Sequence, residues 1–356
     1  MVQTAPLAVE LRTLPRPVIA DDEALIRVEA CGICGTDIGM YRDGHGADFP
    51  LIRGHEPVGV IEEIGGSHAT RSGLTVGDRV VVDPFLRCGT CRYCLGGRGE
   101  LCDGGGREHN TYAMIPLSEG SGLWGGFATH LVAGSQTVLY KVPPHVPAVK
   151  AALFNALGAG VKWTLDAGGV RQGSTVVVLG AGQRGLSCAV AALEAGASFV
   201  AVTGLTSDRH KLDLARELGA HLTIDIEVDD AVEVVRREVG AVDVVVDTTP
   251  GATRPILDAI QLVRTGGTIV SGGLKRQTVE AFPIDELTRK EIALKGVLGT
   301  GADHYRRAVE IIAHSSRPLE RLQTHVVALD QVVHGIALLA GEVPGEHPIA
   351  VVIDTA

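Results

Sequence analysis

Residues 1 to about 149 carry their apolar positions in short β-type runs, ALIRVEACGI, PVGVIEEIG, DRVVVDPF and FATHLVAG, broken by glycine and proline. Such runs, with long loops between them, predict an irregular all-β unit. The segment KVPPHVP, with three prolines, continues neither a helix nor a central strand and marks a boundary. Beyond it the pattern changes. The β-rich runs STVVVLG, FVAVTG, LTID and AVDVVVDTT alternate with LSCAVAALEAG, DRHKLDLARELGA and AVEVVRREVG, whose apolar residues recur at helical spacing. Strands alternating with helices predict βαβ units, an α/β doubly wound parallel sheet. GTIVSGG and LKGVLG add two strands and close this unit near residue 299. The last segment, HYRRAVEIIAH through PIAVVID, reads as a helix followed by a final strand.

A length of 356 residues suits two domains, each able to bury a core. The 46 glycines are well above the usual share of about 7%, so many tight turns and close backbone approaches are expected. The net charge of −10, with no basic run, argues against nucleic-acid binding and against an anionic membrane surface. No apolar stretch reaches the roughly 18 residues of a spanning helix, and the N-terminus lacks the pattern of a signal peptide. A cytoplasmic protein acting on a small molecule is expected.

In STVVVLGAGQRGLSCAVAALEAGA, three glycines follow an apolar β run and open an amphipathic helix. Gly180 suits the tight turn, Gly182 lets backbone approach a pyrophosphate, and Gly185 permits close helix–strand packing. The free N–H groups and the helix dipole then face the phosphates. Gln183 and Arg184 within the loop, and Thr248 after the run AVDVVVD, are grouped with it as candidate dinucleotide contacts. An NAD site usually has an acidic residue about 20 positions on, at the end of the second strand. Gly204 stands there instead, and Thr206, Ser207, Arg209 and Lys211 follow closely enough to bind a 2′-phosphate. NADP(H) is therefore favoured over NAD(H). Asp208 in the same loop is the competing feature, because it could hold a ribose hydroxyl.

Seven cysteines fall into two clusters and one single residue. Cys88, Cys91, Cys94 and Cys102 have spacings that let one loop wrap a tetrahedral ion, and four thiolates with no open position describe a structural zinc site. Two disulfides or an iron–sulfur cluster are the other readings of that spacing. Cys34 in CGICGTD, with His55 and Glu56 in GHEPVG, supplies a thiolate, an imidazole and a carboxylate. Such a set suits a catalytic zinc with a position left for water or substrate, although on spacing alone a core cysteine and a surface histidine fit equally well. Cys31 and Cys188 are expected to be packing residues.

The motifs CGICGTD, GHEPVGVIEEIG, the four-cysteine loop, GDRVVVDP and VVVLGAGQRG occur in this order over nearly the whole chain. The chain thereby resembles the zinc-dependent medium-chain alcohol and polyol dehydrogenases. The resemblance implies a GroES-like β-barrel catalytic domain, residues 1–149 and 300–356, around a Rossmann dinucleotide-binding domain, residues 150–299. It further implies a catalytic zinc in the cleft between them, held by Cys34, His55 and a third ligand. At the third position similar polyol dehydrogenases carry a glutamate, and here Asn155 stands in its place. With Asn155 the ligand set leaves a charge of about +1 on the site, and Glu56 is the alternative ligand that would restore neutrality. Asn155 could also bond only to a zinc-bound water.

By the same resemblance Asp37 orients His55 by accepting its second ring N–H, and Thr36 takes the alcohol proton. Many relatives pass that proton onward through a histidine whose place is taken here by Gly39. Either a shorter relay or His45, in the loop DGHGAD, then serves, the other reading of His45 being a surface loop histidine. The implied reaction is reversible transfer of hydride between a secondary alcohol or polyol and NAD(P), in a homodimer or homotetramer. A zinc-free ene or quinone reductase and a non-enzymatic dinucleotide sensor are the rival readings, and metal content separates the first of these.

Overall fold

The run TVVVL is buried at its last four positions, as a strand covered on both faces requires. It lies at the centre of one of the two compact units into which the chain divides. The computed structural model describes residues 1–103 and 111–355.

One unit comprises Met1–Asn155, Gly301–His314 and Gln323–Ala356. Its first eight strands are β1 Val2–Ala5, β2 Ala8–Glu10, β3 Ala24–Ile33, β4 Leu51–Ile52, β5 Glu56–Ile64, β6 Arg79–Val82, β7 His130–Ala133 and β8 Leu139–Lys141. The other unit, Ala156–Thr300 with Ser315–Leu322, contains β9 Thr175–Leu179, β10 Phe199–Gly204, β11 Leu222–Asp225, β12 Val242–Asp247, β13 Val263–Ser271 and β14 Ala293–Gly296. The last two strands, β15 Gln323–Ala328 and β16 Ala350–Asp354, return to the first unit.

In the first unit β2-β1-β4 form a small sheet, and a seven-stranded sheet runs β15-β16-β3-β5-β6-β8 with β7 also paired to β3. β3 is its axis. Its odd positions Leu25, Cys31 and Ile33 pack with Phe127, Val351 and Ile353, while its even positions Ala24, Ile26 and Val28 pack with Val80, Val82 and Tyr112. Both faces are thus covered. Cys34 leaves the end of this strand, and the helix Gly35–Asp43 begins immediately.

The second unit contains the expected parallel sheet, in the order β11-β10-β9-β12-β13-β14. Helices Ala231–Glu238 and Arg254–Leu262 bury Val232, Val235, Ile256 and Ile260 against Val177, Val245 and Ile269 of the sheet. The strand order reverses between β9 and β12, and the carboxyl ends of the strands at such a reversal form the natural ligand crevice of an open α/β sheet. Among the described residues no helix is long and apolar enough to cross a membrane.

Candidate active site and metal centres

Cys34 is the N-cap of the helix Gly35–Asp43, and its sulfur accepts the backbone N–H of Thr36 at 3.3 Å. Asp37 closes the capping box, its Oδ2 accepting the N–H of Cys34 at 2.9 Å. His55 follows Gly54, whose φ of +91° is open to glycine. A side chain at Gly54 would also strike the backbone of Phe127.

The two motifs meet. Cys34 Sγ and His55 Nε2 are 3.1 Å apart, and both residues are buried. Two ligands of one tetrahedral zinc would stand about 3.5 Å apart, given Zn–S near 2.3 Å and Zn–N near 2.0 Å. Glu56 joins them, so that Cys34, His55 and Glu56 each offer an atom within 4.8 Å of the others. Its carboxylate lies across from Gly32, its partner in the β3–β5 register, where any side chain at position 32 would overlap it. The donor set therefore fits zinc. His55 Nδ1 is 3.3 Å from Asp37 Oδ1, close enough for an ion pair but outside hydrogen-bond geometry. Burial opposes charge on His55, but Asp37 and the Cys34 sulfur outweigh it and hold the pKa well above the ordinary histidine value. A metal on Nε2 takes the place of that proton. Asn155 is buried in the same unit, at the start of the helix Phe154–Gly160. Thr36 is exposed.

Sequence reasoning missed Arg53. Its buried guanidinium donates from Nε to Gln3 Oε1 at 2.6 Å, from Nη1 to Ala113 O at 2.8 Å, and from Nη2 to Met40 O and Gly44 O at 3.2 and 3.1 Å. It thereby ties the end of the helix that carries Asp37 to the segment that carries His55. The only sequence signal is an arginine inside the apolar stretch PLIRG.

The four-cysteine loop also closes on itself. The sulfurs of Cys88, Cys91, Cys94 and Cys102 all lie within 4.8 Å of one another, with Cys88–Cys94 and Cys91–Cys102 both at 3.9 Å. A tetrahedron of Zn–S bonds near 2.3 Å has edges of about 3.8 Å, whereas a disulfide needs about 2.05 Å. All four cysteines are free. Backbone N–H groups of Cys91, Cys94 and Cys88 point at the sulfurs of Cys88, Cys91 and Cys102. Hydrogen bonds from Thr90, with those from Cys91 and Cys102, lower the Cys88 pKa to about 6.

In the second unit Gly180 follows β9 with φ +100°, and Gly182 caps the helix Gln183–Glu194. A Cβ at Gly182 would meet nothing, which leaves that backbone open to a ligand, whereas one at Gly185 would overlap the carbonyl oxygen of Gly180. Arg184 lies 5.5 Å from the centre of the Trp163 ring. Thr248 donates to the Leu179 carbonyl at 2.9 Å and so stands beside the loop. Gly204 ends β10, packed by Ala181, Asp208 and Leu212 so closely that a side chain there would crowd them. Lys211 is committed to Asp208 at 2.7 Å, and Thr206 is bonded to Asp225 and Glu227. Arg209 is exposed, and its nearest carboxylate, on Asp213, is 3.9 Å away.

Residues 20–144 match the family described as "Alcohol dehydrogenase GroES-like domain", and residues 185–314 match "Zinc-binding dehydrogenase". The chain is 38% identical over 353 residues to a Mycobacterium tuberculosis protein named "Probable alcohol dehydrogenase adh", covering 98% of this chain and 96% of that protein. It is 32% identical to "Probable D-xylulose reductase A" of Aspergillus fumigatus, covering 90% and 87%. Among solved structures, alcohol dehydrogenase TADH from Thermus sp. ATN1 superposes with a TM-score of 0.84 at 26% identity over 100% of this chain and 99% of that one. A chain from Sinorhizobium meliloti 1021 solved bound to NADP gives 0.84 at 27%, over 99% of each. Motif order, donor sets, fold and relatives agree, and the chain belongs to the zinc-type medium-chain dehydrogenase family, oxidoreductases that act on CH–OH groups.

Proposed function

We propose that this dehydrogenase interconverts a secondary alcohol or polyol with its carbonyl form, using NADP(H) in preference to NAD(H). The observation that carries this reading is the buried trio of Cys34, His55 and Glu56 backed by Asp37, in a chain that also has a dinucleotide-type glycine loop. Bound at that trio, zinc supplies Lewis acidity toward the substrate oxygen, and the nicotinamide supplies the hydride acceptor. Cys34 and His55 would hold the metal, while Asp37, at ion-pair distance from His55 and accepting the Cys34 N–H, links the ring to the turn at Cys34. Thr36, anchored by its N–H on the Cys34 sulfur, presents its hydroxyl to take the alcohol proton. The N–H groups around Gly182 receive the pyrophosphate.

One solved neighbour holds NADP and another NADH, so the cofactor preference rests on this chain's own residues, the absence of a side chain at Gly204 and the loosely paired guanidinium of Arg209. Steady-state rates with NAD and NADP at equal concentration test it, and a strong NAD preference would overturn it. In the same assay Cys34→Ser should abolish turnover while leaving dinucleotide binding intact; activity that survives the substitution removes the zinc role.

Glu56 is the third ligand in this reading rather than Asn155. One thiolate and one carboxylate balance the two charges of zinc, which a neutral amide does not. Glu56→Gln should therefore lose zinc to a chelator faster than Asn155→Ala. The reverse order would assign the position to Asn155.

A further inference from the structure

At the carboxyl ends of β12 and β13 lies an ionic cluster that neither metal site nor the glycine motif includes. Asp247, the last residue of β12, is fully buried and lies 2.8 Å from the ammonium of Lys275. The same ammonium donates to the carbonyl oxygen of Thr249 at 2.6 Å and to its hydroxyl at 2.9 Å, so it is set among three oxygens. Thr249 in turn donates to Asp247 Oδ1, from its hydroxyl at 2.6 Å and from its N–H at 3.0 Å. The carbonyl of Asp247 accepts the N–H groups of Gly272 and Gly273 at 2.9 and 3.2 Å, which joins the segment after β13 to the segment after β12.

This closed knot bears on the glycine loop. Thr248, between the two anchored residues, donates its N–H and its hydroxyl to Leu179 O at 3.0 and 2.9 Å. The hydroxyl of Thr248 and the methyl of Thr249 each lie 2.9 Å from where a Cβ on Gly180 would stand. The first glycine of the loop is thus walled in by two threonines, of which Thr249 is bonded to Lys275. Replacing a buried ion pair by apolar residues of similar volume is often neutral for stability, so stability alone does not account for this pair.

We propose that Lys275 is a positioning residue for the dinucleotide, acting through Asp247 and Thr249 to hold the crevice between β9 and β12 in its binding geometry. The inference rests on the reading of the glycine loop as the dinucleotide site. Its test is a titration of zinc-replete full-length protein with NADPH and with NADH, followed by nicotinamide fluorescence. Lys275→Met should weaken binding about tenfold, as small misplacements of a site do. Thr249→Val should weaken it in the same direction. The double variant should bind about as well as Lys275→Met alone, because residues acting as one unit are not additive. Folded Lys275→Met with parental affinity, or a double variant whose losses add, would overturn the proposal. A lower Tm with unchanged affinity does so too, since it leaves only a structural role. If Lys275→Met does not fold, Thr249→Val decides, with unchanged binding counting against it. Failure of the parent protein to bind either dinucleotide overturns instead the reading of the loop.

Discussion

Gly39 lies one turn along the helix from Thr36, on the same face. A side chain built at Gly39 would overlap the imidazole of His45. His45 has φ 51° and ψ 36°, a left-handed conformation uncommon outside glycine, between Gly44 and Gly46 with φ of +73° and +70°. The turn therefore folds an imidazole back over the helix, into the space a histidine at position 39 would fill. His45 therefore stands where the histidine of the longer relay would project, and substitution can test a relay through it. His45→Ala should slow alcohol oxidation about tenfold or more, and adding Gly39→His to that variant should recover most of the loss. Unchanged kcat in His45→Ala would mean that Thr36 delivers its proton to solvent directly.

At the level of elements, the glycine loop separates two uses of the same residue type. Gly185 is required by the chain itself, because a Cβ there overlaps the Gly180 carbonyl, whereas Gly182 faces open space. Gly185→Ala should lower stability by about 1–3 kcal/mol through overpacking, measured as a drop in Tm. Gly182→Ala should fold with parental Tm and yet bind NADPH at least about tenfold more weakly, because its methyl stands where the pyrophosphate approaches. Equal Tm for both variants would refute the distinction. The loop was legible in the sequence because its strand, turn and helix are contiguous, and the cysteine loop for the same reason. The pairing of Cys34 with His55 was legible only through resemblance, since the two are separated by 21 residues and meet through the β3–β5 pairing. The seat of His45 over Gly39, the hub at Arg53 and the knot at Lys275 were not legible. Each depends on which backbone oxygens or open spaces a long polar side chain finds once the chain has folded, and neither spacing nor periodicity records that.

For the molecule as a whole, two donor sets of different chemistry make metal removal a two-step experiment. The four-thiolate loop has no open position, and a closed structural site contributes directly to folding. The set at Cys34 has fewer protein ligands and leaves room for substrate, so its zinc should exchange first. Protein as purified should contain two zinc ions per chain. A mild chelator should remove one of them with complete loss of turnover and little change in Tm. Stronger chelation should remove the second and lower Tm by about 10 °C or more, as expected when a site that closes a long loop opens. A single zinc per chain would instead fit the zinc-free reductase chemistry found in other branches of the fold, with the Cys34 trio serving no metal. Activity that persisted after the first ion left would separate catalysis from the buried trio altogether, which makes the order of the two losses the decisive observation.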